Sequence, residues 1–129
     1  IILSQVVLDA SALLAFLQTE TGAEKVEAVI DHSCISTVNW CEVIQKCVKH
    51  GVQTETMQGE FESLGLRIIS FTTEQAEIAG KLVNETKHLG LSLGDRACLS
   101  LGLSLNLPVF TSDKEWAKLP ETFQIHLVR

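Results

Sequence analysis

The sequence predicts an α/β fold of three layers, α/β/α, around a central and mostly parallel sheet. Short β-rich runs alternate with longer amphipathic stretches along the chain, a pattern typical of parallel sheets that helices cover on both faces. The 129 residues, 46% of them hydrophobic, are enough for one substantial core. No repeat or Pro/Gly/Ser-rich linker divides them, so residues 1–129 are expected to form a single domain.

Apolar runs of strand length and amphipathic stretches of helical length define the expected elements. Strands are predicted over residues 5–8, 34–36, 66–71, 108–111 and 123–128. Helices are predicted over residues 12–17, 23–30, 39–50, 54–64, 74–88, 92–105 and 113–117. The apolar positions that share a face are Val38, Cys41, Ile44 and Val48 around the helix 39–50, and Ala76, Ala79 and Val83 in the helix 74–88.

Composition and charge restrict the function classes. The net charge is −6 and the pI about 5.1, so the chain lacks the global basic field of many nucleic-acid-binding modules. Any contact with nucleic acid must therefore be local or mediated by a metal ion. The apolar stretches are interrupted by Asp9 or Asp95 before the ~20 apolar residues that a membrane span needs. We expect a cytoplasmic protein with no membrane segment and no signal peptide.

The four cysteines do not predict a zinc site or a disulfide framework. They form no C-x-x-C pair, and no histidine follows them at zinc-ligand spacing. Buried, reduced thiols are therefore expected at Cys34, Cys41, Cys47 and Cys98.

Four acidic residues are expected to meet at one edge of the sheet. Asp9 ends the first strand, Glu42 lies in the first turn of the helix after the second strand, and Asp113 follows the fourth strand. Asp95 begins a helix that must run antiparallel to the fourth strand. In an open parallel sheet all of these positions lie beyond the carboxyl ends of the strands, where ligands bind.

Each acid also has a purely structural interpretation. Ser92-x-x-Asp95 and Asn39-x-x-Glu42 have the pattern of helix capping boxes, and Asp9 is able to cap the helix that follows it. Convergence is the argument for function, because four neighbouring carboxylates repel one another and a multivalent cation relieves that repulsion. Carboxylate oxygens suit Mg²⁺ or Mn²⁺, whose usual chemistry in proteins is phosphodiester or phosphoryl transfer.

The segments that carry these acids resemble those of PIN-domain nucleases, and most closely the VapC toxins of bacterial toxin-antitoxin pairs. The segments are VLDASALLA at residues 7–15, NWCEV at 39–43, LSLGDRAC at 91–98 and VFTSDKEW at 109–116. By this resemblance Asp9, Glu42, Asp95 and Asp113 are catalytic residues that coordinate Mg²⁺ or Mn²⁺. The resemblance also implies endonucleolytic cleavage of RNA, a cognate antitoxin, and a PIN-like nuclease domain over residues 1–129.

Neighbouring polar residues have two interpretations each. Ser11 and Thr111 match polar positions behind the acids in the family, and are equally well explained as local turn or cap residues. Ser112-x-x-Glu115 has the pattern of a further capping box. Arg96 is able to bind a substrate phosphate or to pair with Asp95.

Two further expectations concern binding surfaces. Lys46 is placed to pair with Glu42 one helical turn earlier or to follow an RNA backbone. The resemblance and the apolar residues Leu13, Leu14 and Leu17 suggest a homodimer and a groove for an antitoxin segment.

Three other functions compete with this interpretation. A dehalogenase-like phosphatase requires a second carboxylate two residues after Asp9, where this chain has Ser11. A phospho-receiver module requires adjacent acids after the first strand, whereas Ala10 follows Asp9. The alternative that stays open is a PIN-like scaffold or interaction module without catalysis.

Overall fold

A computed structural model describes residues 3–129 as an α/β fold built on one parallel sheet. Its five strands lie in the order β3-β2-β1-β4-β5, and every neighbouring pair is parallel. The strands are β1 Val6–Leu8, β2 Ser33–Ser36, β3 Arg67–Ile69, β4 Val109–Thr111 and β5 Ile125–Leu127. The predicted three-layer α/β/α class with a mostly parallel sheet is confirmed, and all the described strand pairs are parallel.

Helices cover the sheet on both faces. They are α1 Ala10–Leu17, α2 Ala23–Glu27, α3 Thr37–Lys49, α4 Met57–Leu64, α5 Thr73–Lys81, α6 Val83–Thr86 and α7 Leu93–Leu105. Short 3₁₀ turns occupy Ile30–His32, Lys87–Leu89, Lys114–Lys118 and Glu121–Phe123. One core joins the sheet to α1 through α4, and the other joins it to α7 and the segments around it.

The central strand shows why the sheet has two buried faces. Val6 and Leu8 of β1 belong to the core shared with α1–α4, whereas Val7 between them belongs to the core shared with α7. Successive side chains of a strand point to opposite faces, so a strand that is apolar at every position must be covered on both. The next residue, Asp9, is therefore the first polar group at the carboxyl end of β1.

Helix α3 is rotated relative to the predicted face. Its buried residues are Asn39, Val43 and Cys47, whereas Cys41 and Val48 are exposed. The prediction chose the apolar side chains, but Asn39 is buried because its amide group is hydrogen-bonded to Glu42 and to the Gly94 carbonyl. The hydrogen bonds donated by the Asn39 Nδ2 group thus favour this orientation of the helix. The expectation of four buried thiols is wrong at Cys41 for the same reason.

The predicted helix 74–88 is divided and also rotated. It forms α5 and α6, separated at the buried Leu82, and ends in the 3₁₀ turn Lys87–Leu89. Ala79 is buried as expected, but Ala76 and Val83 are exposed and the polar Thr86 takes an inward position. The Thr86 hydroxyl donates to the Leu82 carbonyl at 2.9 Å. This hydrogen bond offsets the cost of burying the hydroxyl group.

The remaining differences from the predicted elements concern their ends. The predicted helix 23–30 stops at Glu27, two residues before the 3₁₀ turn Ile30–His32, and β3 and β5 are shorter than predicted. Within residues 3–129, no helix combines the length and hydropathy needed to cross a membrane.

Candidate functional site

The four predicted acids line one cavity at the carboxyl edge of the sheet. Its volume is about 290 Å³, and its lining residues are Asp9, Ala10, Ser11, Leu14, Asn39, Glu42, Lys46, Asp95, Asp113 and Trp116. A larger cavity of about 430 Å³ lies elsewhere, between Asp31, Arg67 and their neighbours. Within the described chain its carboxylates are only Asp31 and Glu62, beside Arg67, whereas the acid-lined cavity has four carboxylates to one lysine and is the better candidate for cation chemistry.

Asp9 is the most buried of the acids and the most tightly held. It caps α1, since its Oδ1 accepts a hydrogen bond from the Ala12 backbone N–H at 2.7 Å. Its side chain also accepts from the hydroxyl groups of Ser11 at 2.8 Å and Thr111 at 2.5 Å. Burial raises the pKa of Asp9 to about 6, against the lowering effect of these hydrogen bonds; the nearby Asp95 adds to the rise.

Ser11 and Thr111 join two strand ends around this carboxylate. Besides its contact with Asp9, the Ser11 hydroxyl accepts from the Ser112 backbone N–H at 3.0 Å. Thr111 accepts from the Asp113 backbone N–H at 3.0 Å. Each hydroxyl group therefore contacts the Asp9 carboxylate and also a backbone N–H group. Ser11 and Thr111 thus support the acid and bond to backbone at the same time.

Glu42 is positioned by two residues from different helices. Asn39 donates from Nδ2 to Glu42 Oε1 at 2.9 Å. On the other side, the carboxylate packs on Gly94 of α7 so closely that a methyl group there would overlap it. Helix α3 starts at Thr37 with Ser36 as its cap, so the predicted capping box of Asn39 and Glu42 is wrong.

Asp95 is held by its own helix. The Ser92 hydroxyl accepts from the Asp95 backbone N–H at 3.2 Å, and Asp95 Oδ2 accepts from the Ser92 backbone N–H at 2.9 Å. The predicted capping box of α7 is therefore present. It occupies one carboxylate oxygen of a side chain that also lines the cavity.

Asp113 is the exposed member of the group. It caps the 3₁₀ turn Lys114–Lys118, because its Oδ1 accepts from the Glu115 backbone N–H at 3.0 Å. The predicted capping box of Ser112 and Glu115 is therefore wrong, since Asp113 takes that role. Asp113 lies at the rim, where it also borders a second surface cavity with Lys114 and Arg129.

The two basic candidates differ in position. Arg96 donates from Nη1 to the Ala79 carbonyl at 2.9 Å, does not pair with Asp95, and is outside the cavity lining. Lys46 lines the cavity mouth and makes no ion pair with Glu42 within the described chain. Both pairing predictions are therefore wrong, and Lys46 is the cation that faces the acids.

The sequence model of the PIN domain family matches residues 6–122 of this chain, a range that includes all four acids. The chain belongs to the PIN domain family. A comparison with curated protein sequences gave no match.

Solved structures share the PIN fold over almost the whole chain. A toxin-antitoxin complex from Klebsiella pneumoniae matches with a TM-score of 0.76 and 21% identity, covering 97% of this chain and 98% of its own. DNA-bound VapBC from Salmonella typhimurium matches with a TM-score of 0.73 and 17% identity, covering 98% and 100%. VapBC-5 from Mycobacterium tuberculosis has a TM-score of 0.62 and 17% identity, covering 98% of both chains. At these identities the likeness shows a common fold.

The donor chemistry of this PIN cavity suits a hard divalent cation. Among residues 3–129, no three His, Cys, Asp or Glu side chains are close enough to form a ready-made metal cluster. Mg²⁺ and Mn²⁺ need no such cluster, because they commonly take one or two protein carboxylates and keep several waters. The carboxylates, together with the buried Asn39 Oδ1 that lacks a partner in the described chain, therefore fit such an ion.

Cys98 gives a second indication that the acids share one electrostatic environment. Burial raises the pKa of this thiol well above its usual value, and the charges of Asp9, Asp95 and Glu42 raise it further, together with Cys34. A buried thiol of this kind stays protonated and is a poor nucleophile.

Among the lining residues of the PIN cavity that were not assigned a role there from the sequence, two carry polar side-chain groups, Asn39 and Trp116. Asn39 had been interpreted as a cap, although its position three residues before Glu42 on a helix already placed the two side chains on one face. Trp116 is fully buried and lines the cavity. Its indole does not stand out in the sequence, because a tryptophan after a strand is equally typical of core packing.

Proposed function

We propose that residues 1–129 form a single PIN nuclease domain that cleaves RNA endonucleolytically by metal-dependent hydrolysis, as the toxin of a toxin-antitoxin pair. The observation that carries the proposal is the cavity lined by carboxylates from four separate segments. Folding alone gives no reason to collect four like charges in one cavity, because their repulsion opposes it. Membership of the PIN domain family supports the same function.

In this proposal Asp9, Glu42, Asp95 and Asp113 hold Mg²⁺ or Mn²⁺. When bound, the cation lowers the pKa of a water molecule and neutralises charge on the phosphate. Asp9 must be ionised to bind it, and the hydroxyl groups of Ser11 and Thr111 keep its carboxylate oriented. Metal ligands need such outer partners to hold their geometry.

The nucleophile in the proposed reaction is water rather than a side chain. The Ser11 hydroxyl is engaged with Asp9, and the Cys98 thiol is fully buried with a raised pKa. Water adds to the phosphorus atom as the bond to the 3′ oxygen breaks. The products then carry a 5′-phosphate and a 3′-hydroxyl group.

Lys46 is our candidate for contact with the RNA backbone. It lines the mouth of the acid cavity, and Lys49 follows along the same helix beside it. Lysine binds phosphate as a point charge. Arg96, the residue first considered for this role, is turned towards α5 by its hydrogen bond to Ala79.

Incubation of the purified protein with end-labelled single-stranded RNA tests the proposal. Cleavage is expected with Mg²⁺ or Mn²⁺, with 5′-phosphate ends, and is expected to disappear in excess chelator and in Asp9→Asn. Undiminished cleavage in chelator would exclude the metal mechanism. A protein that binds Mn²⁺ but leaves every RNA intact would instead favour the non-catalytic scaffold.

The antitoxin proposal has a candidate surface between α1 and α4. A groove of about 210 Å³ there is lined by Phe16, Leu17, Met57, Glu60, Phe61 and Leu64. The related structures from Klebsiella pneumoniae and Salmonella typhimurium are described as toxin-antitoxin and VapBC complexes. Of the three leucines expected to form a groove, only Leu17 lines it, because Leu13 is fully buried and Leu14 lines the acid cavity. We propose that an apolar segment of an antitoxin occupies this groove.

Co-expression with the product of the neighbouring upstream reading frame tests this partner. Leu64→Lys in the groove is expected to weaken the complex, whereas Leu105→Lys on α7 is expected to leave it intact. The two leucines are matched in exposure, at 47% and 44%.

We also propose that the free chain forms a homodimer. Light scattering tests this, and a monomer at high concentration would contradict it. A toxin that cleaves RNA would act in the cytoplasm.

A further inference from the structure

Asn39 is a buried polar residue in the lining of the acid cavity. Its side chain is 1% exposed, and it lines the cavity together with all four acids. A buried amide in a folded protein normally has its hydrogen-bonding groups satisfied. Asn39 meets this rule only in part, so the unsatisfied part needs an explanation.

The hydrogen bonds of Asn39 fix which way its amide points. Nδ2 donates to Glu42 Oε1 at 2.9 Å and to the Gly94 carbonyl at 3.0 Å. A side-chain amide has two N–H donors, and both acceptors here lack a proton to give back. In a flipped amide, Oδ1 would face the Glu42 carboxylate and the Gly94 carbonyl oxygen, and neither of them donates a hydrogen bond. Oδ1 must therefore take the remaining direction.

Oδ1 of Asn39 has no hydrogen-bond donor in the described part of the chain. It is a neutral oxygen acceptor beside carboxylates that also only accept when ionised. Repulsion makes such a collection of oxygens costly unless a cation or its water molecules lie among them. The unpartnered oxygen and the acids thus indicate the same ligand.

We propose that Asn39 is a fifth residue of the cation site, a positioning residue that holds Glu42 through its N–H groups and accepts a hydrogen bond from the hydrated cation through Oδ1. The inference rests on the proposed metal-dependent function. It assigns to Asn39 a role separate from those of the four carboxylates.

Calorimetric titration of the whole chain with Mn²⁺ tests this role. Asn39→Ala is expected to weaken Mn²⁺ binding about 10–100-fold, the usual effect of losing an outer partner of a metal ligand. Gln75→Ala is the matched control, because Gln75 is 7% exposed, also has an unpartnered buried amide oxygen, and lies outside the cavity. The control is expected to bind Mn²⁺ like the wild type.

The outcomes separate this inference from the proposed function. Wild-type affinity in a folded Asn39→Ala protein would overturn the role of Asn39 and leave the four-acid site standing. A wild type that binds no Mn²⁺ would overturn both. A purely structural role predicts a lower melting temperature in chelator with unchanged affinity.

Asn39→Asp provides an independent measurement that keeps the volume of the side chain. The new carboxylate repels Glu42, so the melting temperature in chelator is expected to fall. Mn²⁺ offsets this repulsion if Asn39 faces the cation, and the gain in melting temperature on adding Mn²⁺ is then larger than in the wild type. An equal gain in both proteins would contradict the proposal.

Discussion

Two helices, α3 and α7, carry a polar residue three positions before an acid, and they use this pattern differently. Ser92-x-x-Asp95 forms a capping box, in which the acid bonds to the backbone of its own helix. Asn39-x-x-Glu42 lies inside α3, which begins at Thr37, and there the acid is held by a side chain and by the surface of another helix. Both acids nevertheless line one cavity.

This difference shows that a cap and a ligand are not exclusive roles. Asp95 has one oxygen engaged by backbone and still borders the cavity. Glu42 has no backbone partner in the described chain, so its position depends on Asn39 and Gly94. We therefore expect Glu42 to be sensitive to changes at the α3–α7 junction, and Asp95 to be sensitive to changes in its own first turn.

The largest expected effect is on RNA cleavage. Glu42→Gln and Asp95→Asn each remove one negative charge and keep the size of the side chain, so both should lower the cleavage rate at least ~100-fold if both acids hold the cation. Glu74→Gln is the control, because Glu74 lies in the first turn of α5 outside the cavity. Cleavage rates measured at saturating Mn²⁺ test this expected loss. Full activity of Asp95→Asn would show that Asp95 acts only as a helix cap.

The same Asp95→Asn protein separates repulsion from capping. Asparagine still accepts the hydrogen bond from the Ser92 N–H, so little capping energy is lost. Removing the charge relieves its repulsion of Asp9, and the melting temperature in chelator at neutral pH should rise. The rise should be small, since Asp95 is the weakest of the influences on the pKa of Asp9. A lower melting temperature would contradict this expectation.

The next largest effect is on stability as a function of pH, and it concerns Asp9. This residue is the cap of α1 and a proposed ligand of the cation. Its pKa is about 6 when folded and 3.8 ordinarily, so between these values the folded chain holds a proton that the unfolded chain has lost. Stability from this group is complete below pH ~4 and is lost as the pH rises through about 6. The loss is ~3 kcal/mol by pH 7, at 1.36 kcal/mol per pH unit.

Denaturant unfolding in chelator from pH 4 to pH 7 measures this change. The free energy of unfolding of the wild type, relative to Asp9→Asn, should fall as the pH rises, because the amide does not titrate. Parallel curves for the two proteins would show that burial does not raise this pKa. Mn²⁺ binding should weaken below pH 6 in the wild type, where the cation competes with the proton.

A glycine pair gives the third comparison. Gly94→Ala adds a methyl group that overlaps the Glu42 carboxylate, whereas Gly80→Ala on α5 meets nothing within 4 Å. The second change should stabilise the protein by ~0.5–1 kcal/mol through helix propensity. The first should cost ~1–3 kcal/mol by overpacking and should also weaken Mn²⁺ binding. Equal Mn²⁺ affinity in the two variants would show that the Glu42 position does not depend on Gly94.

The sequence predicted the sheet and the edge at which the acids meet, because strand patterns and element order determine those features. It did not predict the rotation of α3. The apolar stripe through Cys41 and Val48 was the more hydrophobic choice, but the hydrogen bonds of Asn39 to Glu42 and Gly94 decide the buried face. These partners lie on two helices, and residue Gly94 is distant in sequence, so periodicity within α3 carries no information about the second contact.

The position of Arg96 was unpredictable for a similar reason. Its neighbour Asp95 suggested an ion pair, but adjacent helix residues point in different directions. The guanidinium instead reaches the Ala79 carbonyl of α5, across a packing contact that only the tertiary structure defines. By contrast, the contacts of Asp9 with Ser11 and Ala12 are local, and local spacing was sufficient to predict the cap.

The smallest expected effect tests the cap of α7 without touching a carboxylate. Ser92→Ala removes the hydroxyl group that accepts from the Asp95 backbone N–H, but keeps the Ser92 N–H that donates to Asp95 Oδ2. Losing a side-chain cap costs ~1 kcal/mol. The melting temperature in chelator should therefore fall, while Mn²⁺ affinity and RNA cleavage stay near the wild-type values because the acid keeps its own bond. Ser36→Ala makes the equivalent change at α3, where the hydroxyl accepts from Val38 N–H at 3.2 Å. A loss of Mn²⁺ affinity in Ser92→Ala would mean that the hydroxyl itself helps to hold the site, and the capping and binding roles of this turn would then be one.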